Sequence, residues 1–155
     1  MNLGEHLTPE QIVPEMKSNG ASEAIRELVD HLYEHHLLAT PPREEVLDLL
    51  FQREAQVSTG VGSGVAIPHA FVGNLERVVT AFGRSSEGIN FASLDNAPVF
   101  FVVLFIVPQA QYQLHLRALA AIAKMFANSE IRKELRSAIT REDILAILSR
   151  RPPRT

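Results

Sequence analysis

Residues 97–108, "APVFFVVLFIVP", constrain the fold of this chain more than any other stretch. The run has about half of the roughly 20 residues that a bilayer-spanning helix needs. Its proline bounds and its β-branched, Phe-rich content mark Val99 to Val107 as a strand buried on both faces. Other strands are expected at Ile12 to Met16, an edge strand because Pro14 has no amide to donate, and at Val65 to Ile67, Arg77 to Phe82 and Ile89 to Phe91. Asp95-Asn96 reads as the turn before the central strand.

Helical periodicity fills the remainder. Ile25, Leu28, Val29 and Leu32 share one face of a helix from Ser22 to about His36. A second helix is expected after Thr40 as N-cap, with Pro41 in its first turn; it turns Val46, Leu49 and Leu50 inward and ends near Arg53-Glu54. A long helix follows from about Gln111 to Ala127, with Leu116, Leu119, Ala120, Ala123, Met125 and Phe126 as its apolar face. Thr140 with Asp143 three residues later resembles a capping box ahead of a last short helix. Helices alternating with apolar strands make this an α/β chain, a mixed, largely parallel β-sheet flanked by α-helices. At 155 residues, 1–150 form one domain and 151–155 a flexible tail.

Composition then excludes several function classes. A net charge of −3 gives no electrostatic reason to bind nucleic acid or an anionic membrane. The absence of cysteine removes disulfides, thiolate catalysis and cysteine-bound zinc, and fits a reducing cytoplasm. The N-terminus is polar and acidic, unlike a secretory signal, and no membrane span is expected.

Against this ordinary background, "STGVGSGVAIPHA" (58–70) stands out. Three glycines let a short loop adopt the positive φ values with which successive amides converge on an anion. Thr59, Gly60, Gly62 and Gly64 are therefore candidate phosphate contacts. Pro68 fixes its own φ and keeps Ile67 extended, so the strand holds its line up to His69. A neutral imidazole on such a stiff backbone has one free lone pair, with which it can attack phosphorus, take a proton or bind a metal. Which nitrogen is free is left open by the sequence. Arg53, at the helix end before the loop, has the planar fork that matches phosphate oxygens. His115, in the first turns of the long helix, is placed to donate to a bound anion near that helix N-terminus. Together these groups describe a phosphoryl site with a histidine nucleophile. No acidic cluster surrounds His69, which argues against a magnesium-dependent kinase; neither a metal nor a cofactor is expected.

"RE" (53–54) followed by "STGVGSGVAIPHA" resembles the signature of enzyme IIA of the bacterial phosphoenolpyruvate-dependent phosphotransferase system, in its fructose/mannitol/nitrogen-regulatory type. "ASEAIRELVDHL", "EGINFASLDNAPVFFVVLFIVP" and "HLRALAAIAKMF" resemble that family's first helix, central region and second-histidine helix, so the resemblance covers nearly the whole chain. It implies the family's sandwich fold, a phosphotransferase component rather than a multiple-turnover catalyst, and His69 as the residue phosphorylated by the phosphocarrier HPr. By the same resemblance His115 and Arg53 hold the phosphoryl oxygens, and an enzyme IIB subunit or a regulatory target is the downstream partner. Two departures stand in the sequence: Ser63 occupies a position where the family commonly has Asn, and "PQAQYQLH" carries no acid before the second histidine. With no IIB or IIC segment attached, the chain resembles a free-standing subunit, of nitrogen-regulatory or sugar-system type.

Other readings compete. His69 could be a buried histidine bonded to a backbone carbonyl, His115 a solvent-facing residue, Arg53 an exposed helix end, and Thr59 a turn residue bonding its own backbone. His31 and His35 have zinc-like i, i+4 spacing, but Leu32 stands where a metalloprotease has glutamate, and a solvated face is the better reading. Functionally, the rival to a phosphocarrier is a regulatory binding module that docks a transporter, kinase or transcription regulator according to its phosphorylation, without passing on a sugar. In either case the surface around His69 is expected to be shallow and partly apolar, with Val61, Ala70, Phe71 and Val72 as candidates.

Overall fold

The computed structural model describes residues 3–150, so the expected tail at 151–155 lies outside the described residues. Its strands are β1 (Ile12–Val13), β2 (Gly60–Gly62), β3 (Val65–Ala66), β4 (His69–Val72), β5 (Val79–Ile89) and β6 (Val99–Pro108). Its helices are α1 (Ala21–Glu34), α2 (Arg43–Gln56), α3 (Tyr112–Phe126), α4 (Ser129–Ser137) and α5 (Arg141–Leu148).

The apolar run forms β6, as expected, and β6 organises one mixed sheet of order β1-β5-β6-β3-β2, with β4 also pairing β6. The β1–β5, β3–β6 and β4–β6 pairings are parallel; β5–β6 and β2–β3 are antiparallel. Because side chains alternate along a strand, β6 serves two cores. Val102, Leu104 and Ile106 pack with α1 and α2 through Ile25, Leu28, Val46 and Leu47. Phe101, Val103, Phe105 and Val107 pack on the opposite face against Ile122 and Phe126 of α3, Leu135 of α4 and Ile144 of α5.

Several local expectations are corrected by particular residues. α2 starts at Arg43, with Pro42 rather than Thr40 as N-cap. The physical reason is the second proline: its ring disfavours helical geometry at Pro41, so the helix cannot begin there. The two strands expected at 77–82 and 89–91 are one strand, β5. The polar stretch "GRSSEG" interrupts the apolar pattern but not the strand; the slip in register between Arg84 and Ile89 absorbs it, with Gly88 at φ +95. β1 is cut to two residues at Pro14. The capping box at α5 is formed, with Asp143 N–H donating to Thr140 Oγ1 at 3.0 Å and Thr140 N–H to the Asp143 carboxylate at 3.4 Å.

Of the expected apolar face of α3, Phe126 is buried and Leu119, Ala123 and Met125 pack against the same core, while Leu116 and Ala120 are exposed. The helix buries His115, Ala118, Ile122 and Phe126, whereas Leu116 is 44% exposed. The buried positions follow the i, i+3, i+7 path, and a histidine occupies one of them. Urea unfolding checks this orientation: Ile122→Ala should cost about 2–5 kcal/mol, and Leu116→Ala no more than about 0.5 kcal/mol. Equal costs would contradict the packing described.

Candidate functional site

The site is built on the line that runs from β3 into β4. Ala66 pairs with Val102 and His69 with Phe105, so the offset against β6 is the same on both sides of Pro68. Pro68 donates no amide, but its carbonyl stays in the ladder, accepting from Phe105 N–H at 2.9 Å. The strand thus continues in step through the proline. Ile67, His69 and Phe71 fall on the α3 side of the sheet, while Ala70 and Val72 point into the core beneath α1 and α2. That corrects the expected surface: Ala70 and Val72 are buried, and only Val61 and half-buried Phe71 of the four named residues reach it.

His69 Nδ1 lies 2.9 Å from the carbonyl oxygen of Ile67. A carbonyl only accepts, so this bond requires Nδ1 to carry the proton and leaves the lone pair on Nε2. The half-buried ring lines a shallow depression of about 170 Å³ with Leu49, Gln52, Arg53, Gln56, Ala70 and Phe71, where α2 lies beside β4. Burial is the largest influence on its titration and pushes the pKa down; the bond to Ile67 pushes up, the Arg53 charge down and the Glu54 charge up. The net direction is down, which keeps the imidazole neutral and nucleophilic at neutral pH.

Arg53 therefore stands where the sequence put it, beside His69. Its Nη1 donates to the Val57 carbonyl at 2.8 Å, and among the described residues no carboxylate pairs with it. The neighbouring Glu54, to which the sequence signature attached no role, explains part of this. Its carboxylate is occupied by Thr59, accepting from Thr59 N–H at 3.1 and 3.2 Å and from Thr59 Oγ1 at 2.6 Å. A Glu at a helix end, five residues before a Thr that opens a glycine loop, was the available signal.

The loop turns as expected, and three of its amides have protein acceptors. Gly62, Ser63 and Gly64 have φ of +95, +58 and +78 and make the turn between β2 and β3. Ser63 N–H donates to the Asp95 carboxylate at 3.2 Å, Gly60 N–H to Ser58 Oγ at 3.0 Å, and buried Thr59 is held by Glu54. Gly60 is needed for a different reason, since a Cβ there would lie 2.2 Å from Ser93 Oγ. Thr59, Gly60 and Ser63 thus have protein acceptors, and the loop braces the strand line that carries His69.

His115 is on the same side of the sheet but in another depression. Its ring is 6.4 Å from that of Phe105, the register partner of His69, and it lines a pocket of about 390 Å³ with His6, Val78, Gln111, Leu114, Arg117 and Ala118. It is buried, its Nδ1 has no hydrogen-bond partner, and burial followed by the nearby His6 pushes its pKa down. Between the two histidines, Phe71 meets His69 edge-on at 6.0 Å and Tyr112 at 4.7 Å. His31 and His35 are spent on backbone, at the carbonyls of Glu10 and His31, and no group of three or more potential metal ligands occurs among the described residues. Nor, among those residues, is any helix long and apolar enough to cross a membrane.

Comparison with known proteins identifies the family. A family model described as "Phosphoenolpyruvate-dependent sugar phosphotransferase system, EIIA 2" matches residues 5–151. A nitrogen regulatory protein of Bradyrhizobium diazoefficiens is 36% identical over 155 residues, covering 100% of this chain and 99% of its own. The crystal structure of nitrogen regulatory protein IIA-Ntr from Neisseria meningitidis superposes with a TM-score of 0.86 at 31% identity, covering 94% of this chain and 98% of that one. The Escherichia coli mannitol enzyme IIA, in its complex with phosphorylated enzyme IIB, shares the fold with a TM-score of 0.75 at 18% identity, over 92% of this chain and 96% of that one. This chain belongs to the EIIA 2 family of the phosphoenolpyruvate-dependent sugar phosphotransferase system.

Proposed function

We propose that the protein is a histidine phosphocarrier of the nitrogen-regulatory type, which accepts a phosphoryl group on His69 Nε2 from the phosphohistidine of HPr. The observation that carries this reading is the Nδ1 bond to the Ile67 carbonyl, which leaves the other nitrogen bare on a depression open to a visiting protein. In the transfer, the Nε2 lone pair forms the new N–P bond in line as the donor's N–P bond breaks. The donor imidazole keeps that electron pair, and the His69 proton stays on Nδ1, hydrogen-bonded to the Ile67 carbonyl. Arg53 offsets charge on the phosphoryl oxygens from the α2 side. His115 supplies a second, uncharged contact from α3, and the loop 59–64 acts by holding the strand. A shallow site with few fixed charges suits a carrier, because a phosphoryl group bound too tightly could not be passed on.

The full-length likeness to nitrogen regulatory proteins favours a second reading of the same chemistry. Here phosphorylation switches docking to a transporter, kinase or transcription regulator, with no sugar-linked step. A downstream enzyme IIB, of the kind seen bound to the mannitol relative, separates the two: transfer of label from His69 to a IIB protein supports the transport role, and its failure the regulatory one.

Incubation with HPr, enzyme I and labelled phosphoenolpyruvate should give acid-labile, base-stable label that is lost in His69→Ala. In Arg53→Ala and His115→Ala the label should still form, at rates about 10- to 100-fold lower. Full labelling of His69→Ala would reject the proposal. The pH dependence has a definite sign. Because the His69 pKa lies below the ordinary imidazole value of 6.5, acceptance should persist as pH falls through 6.5 and decline only at more acid values. Arg53→Ala removes a positive charge that lowers this pKa, so a proton NMR titration of the His69 ring should show it rise in that variant; an unchanged or lowered value would contradict the assigned proximity.

A further inference from the structure

The imidazole at the candidate site is not positioned by its immediate neighbours alone. Three successive hydrogen-bond links lead from α2 to it. Thr59 N–H and Oγ1 donate to the Glu54 carboxylate, Ile67 N–H donates to the Thr59 carbonyl at 3.0 Å, and His69 Nδ1–H donates to the Ile67 carbonyl at 2.9 Å. The first link involves a charged acceptor and is the strong one of the series. Thr59 is 3% exposed and Ile67 4%, so neither peptide has water as an easy substitute partner.

We propose that Glu54 is the positioning residue of this site: by fixing Thr59, and through it Ile67, it holds the carbonyl that decides which nitrogen of His69 is left bare. This role bears on function only through the reading of His69 as phosphoryl acceptor. Glu54 touches neither the ring nor any reacting atom in this arrangement. Its adjacency to Arg53 has a consequence of its own. A carboxylate next in sequence to the arginine would ordinarily compete for it; committed to three contacts with Thr59, Glu54 leaves the guanidinium to the depression around His69. The rigidity of the connection comes from the chain between: Pro68 fixes φ immediately after Ile67 and restricts Ile67 itself to extended geometry. Rotation of the Ile67 carbonyl therefore needs movement at Thr59, the point that Glu54 clamps.

The test reads the ring directly. Long-range proton–nitrogen NMR of the unphosphorylated full chain distinguishes the two neutral tautomers of His69. The wild type should be predominantly the Nδ1–H form. Glu54→Gln keeps an acceptor oxygen for Thr59 while removing the charge, and should retain that form. Glu54→Ala removes the acceptor and should give a mixture, with phosphoryl acceptance slowed by about 10- to 100-fold, the range that follows loss of an outer group orienting a metal-bound imidazole. Thr59→Val, which deletes one donor and keeps the amide, should shift the mixture less and in the same direction, and serves if Glu54→Ala does not fold. An unchanged tautomer in both Glu54→Ala and Thr59→Val overturns the proposal. So does a loss in Glu54→Gln as large as in Glu54→Ala, which would make charge and not hydrogen bonding the cause. The tautomer is read without HPr, so a chain that shifts tautomer but takes up no phosphate refutes the phosphocarrier reading and leaves the positioning role standing.

Discussion

The hydrogen bond from His69 Nδ1 to the carbonyl two residues earlier is the interaction on which the site depends. It converts an imidazole with two equivalent options into a group with one proton and one lone pair in known places. Every neighbouring feature supports it. β6 holds the strand in step on both sides of Pro68, the proline removes the freedom of Ile67 to turn its carbonyl, and the glycine hairpin presents Thr59 to receive the Ile67 amide. Two of the chain's sharpest local constraints, a proline inside a paired strand and three positive-φ residues in one turn, are spent on that single geometry.

Electrostatics complete the arrangement by balance more than by strength. Burial and Arg53 lower the His69 pKa, and the Ile67 bond and Glu54 raise it. The net result is a neutral imidazole close to the Arg53 guanidinium, with no metal cluster among the described residues. On the phosphocarrier reading proposed above, such an environment lets a phosphoryl group be accepted without being trapped. Phe71, with exposed Tyr112 against it, gives the rim an apolar component that a protein partner can cover.

Much of this was legible in the sequence because the signals were local. The double-faced apolar run could only be a central strand, and the proline-histidine pair after a glycine turn announced a presented imidazole. Arg53 was found because a helix end leading into the loop carries few other chemical options. What could not be read were contacts made at a distance. Glu54 is joined to Thr59, and Asp95 accepts from the Ser63 amide in the turn. His115 shares a pocket with His6, a neighbour the sequence did not announce, because α3 buries the 115/118/122 path and leaves Leu116 exposed. Polar β5 was divided in two for a related reason: a strand held by its ladder with β6 does not need an unbroken apolar pattern.

The most direct measurement is the site of attachment on the phosphorylated ring. Nitrogen–phosphorus coupling observed by NMR in nitrogen-15 labelled phosphoprotein should place phosphorus on His69 Nε2, with Nδ1 still protonated and bonded to the Ile67 carbonyl. Phosphorus on Nδ1, or on another residue, would contradict the account at its base, since the backbone bond would then have to break for the chemistry to occur.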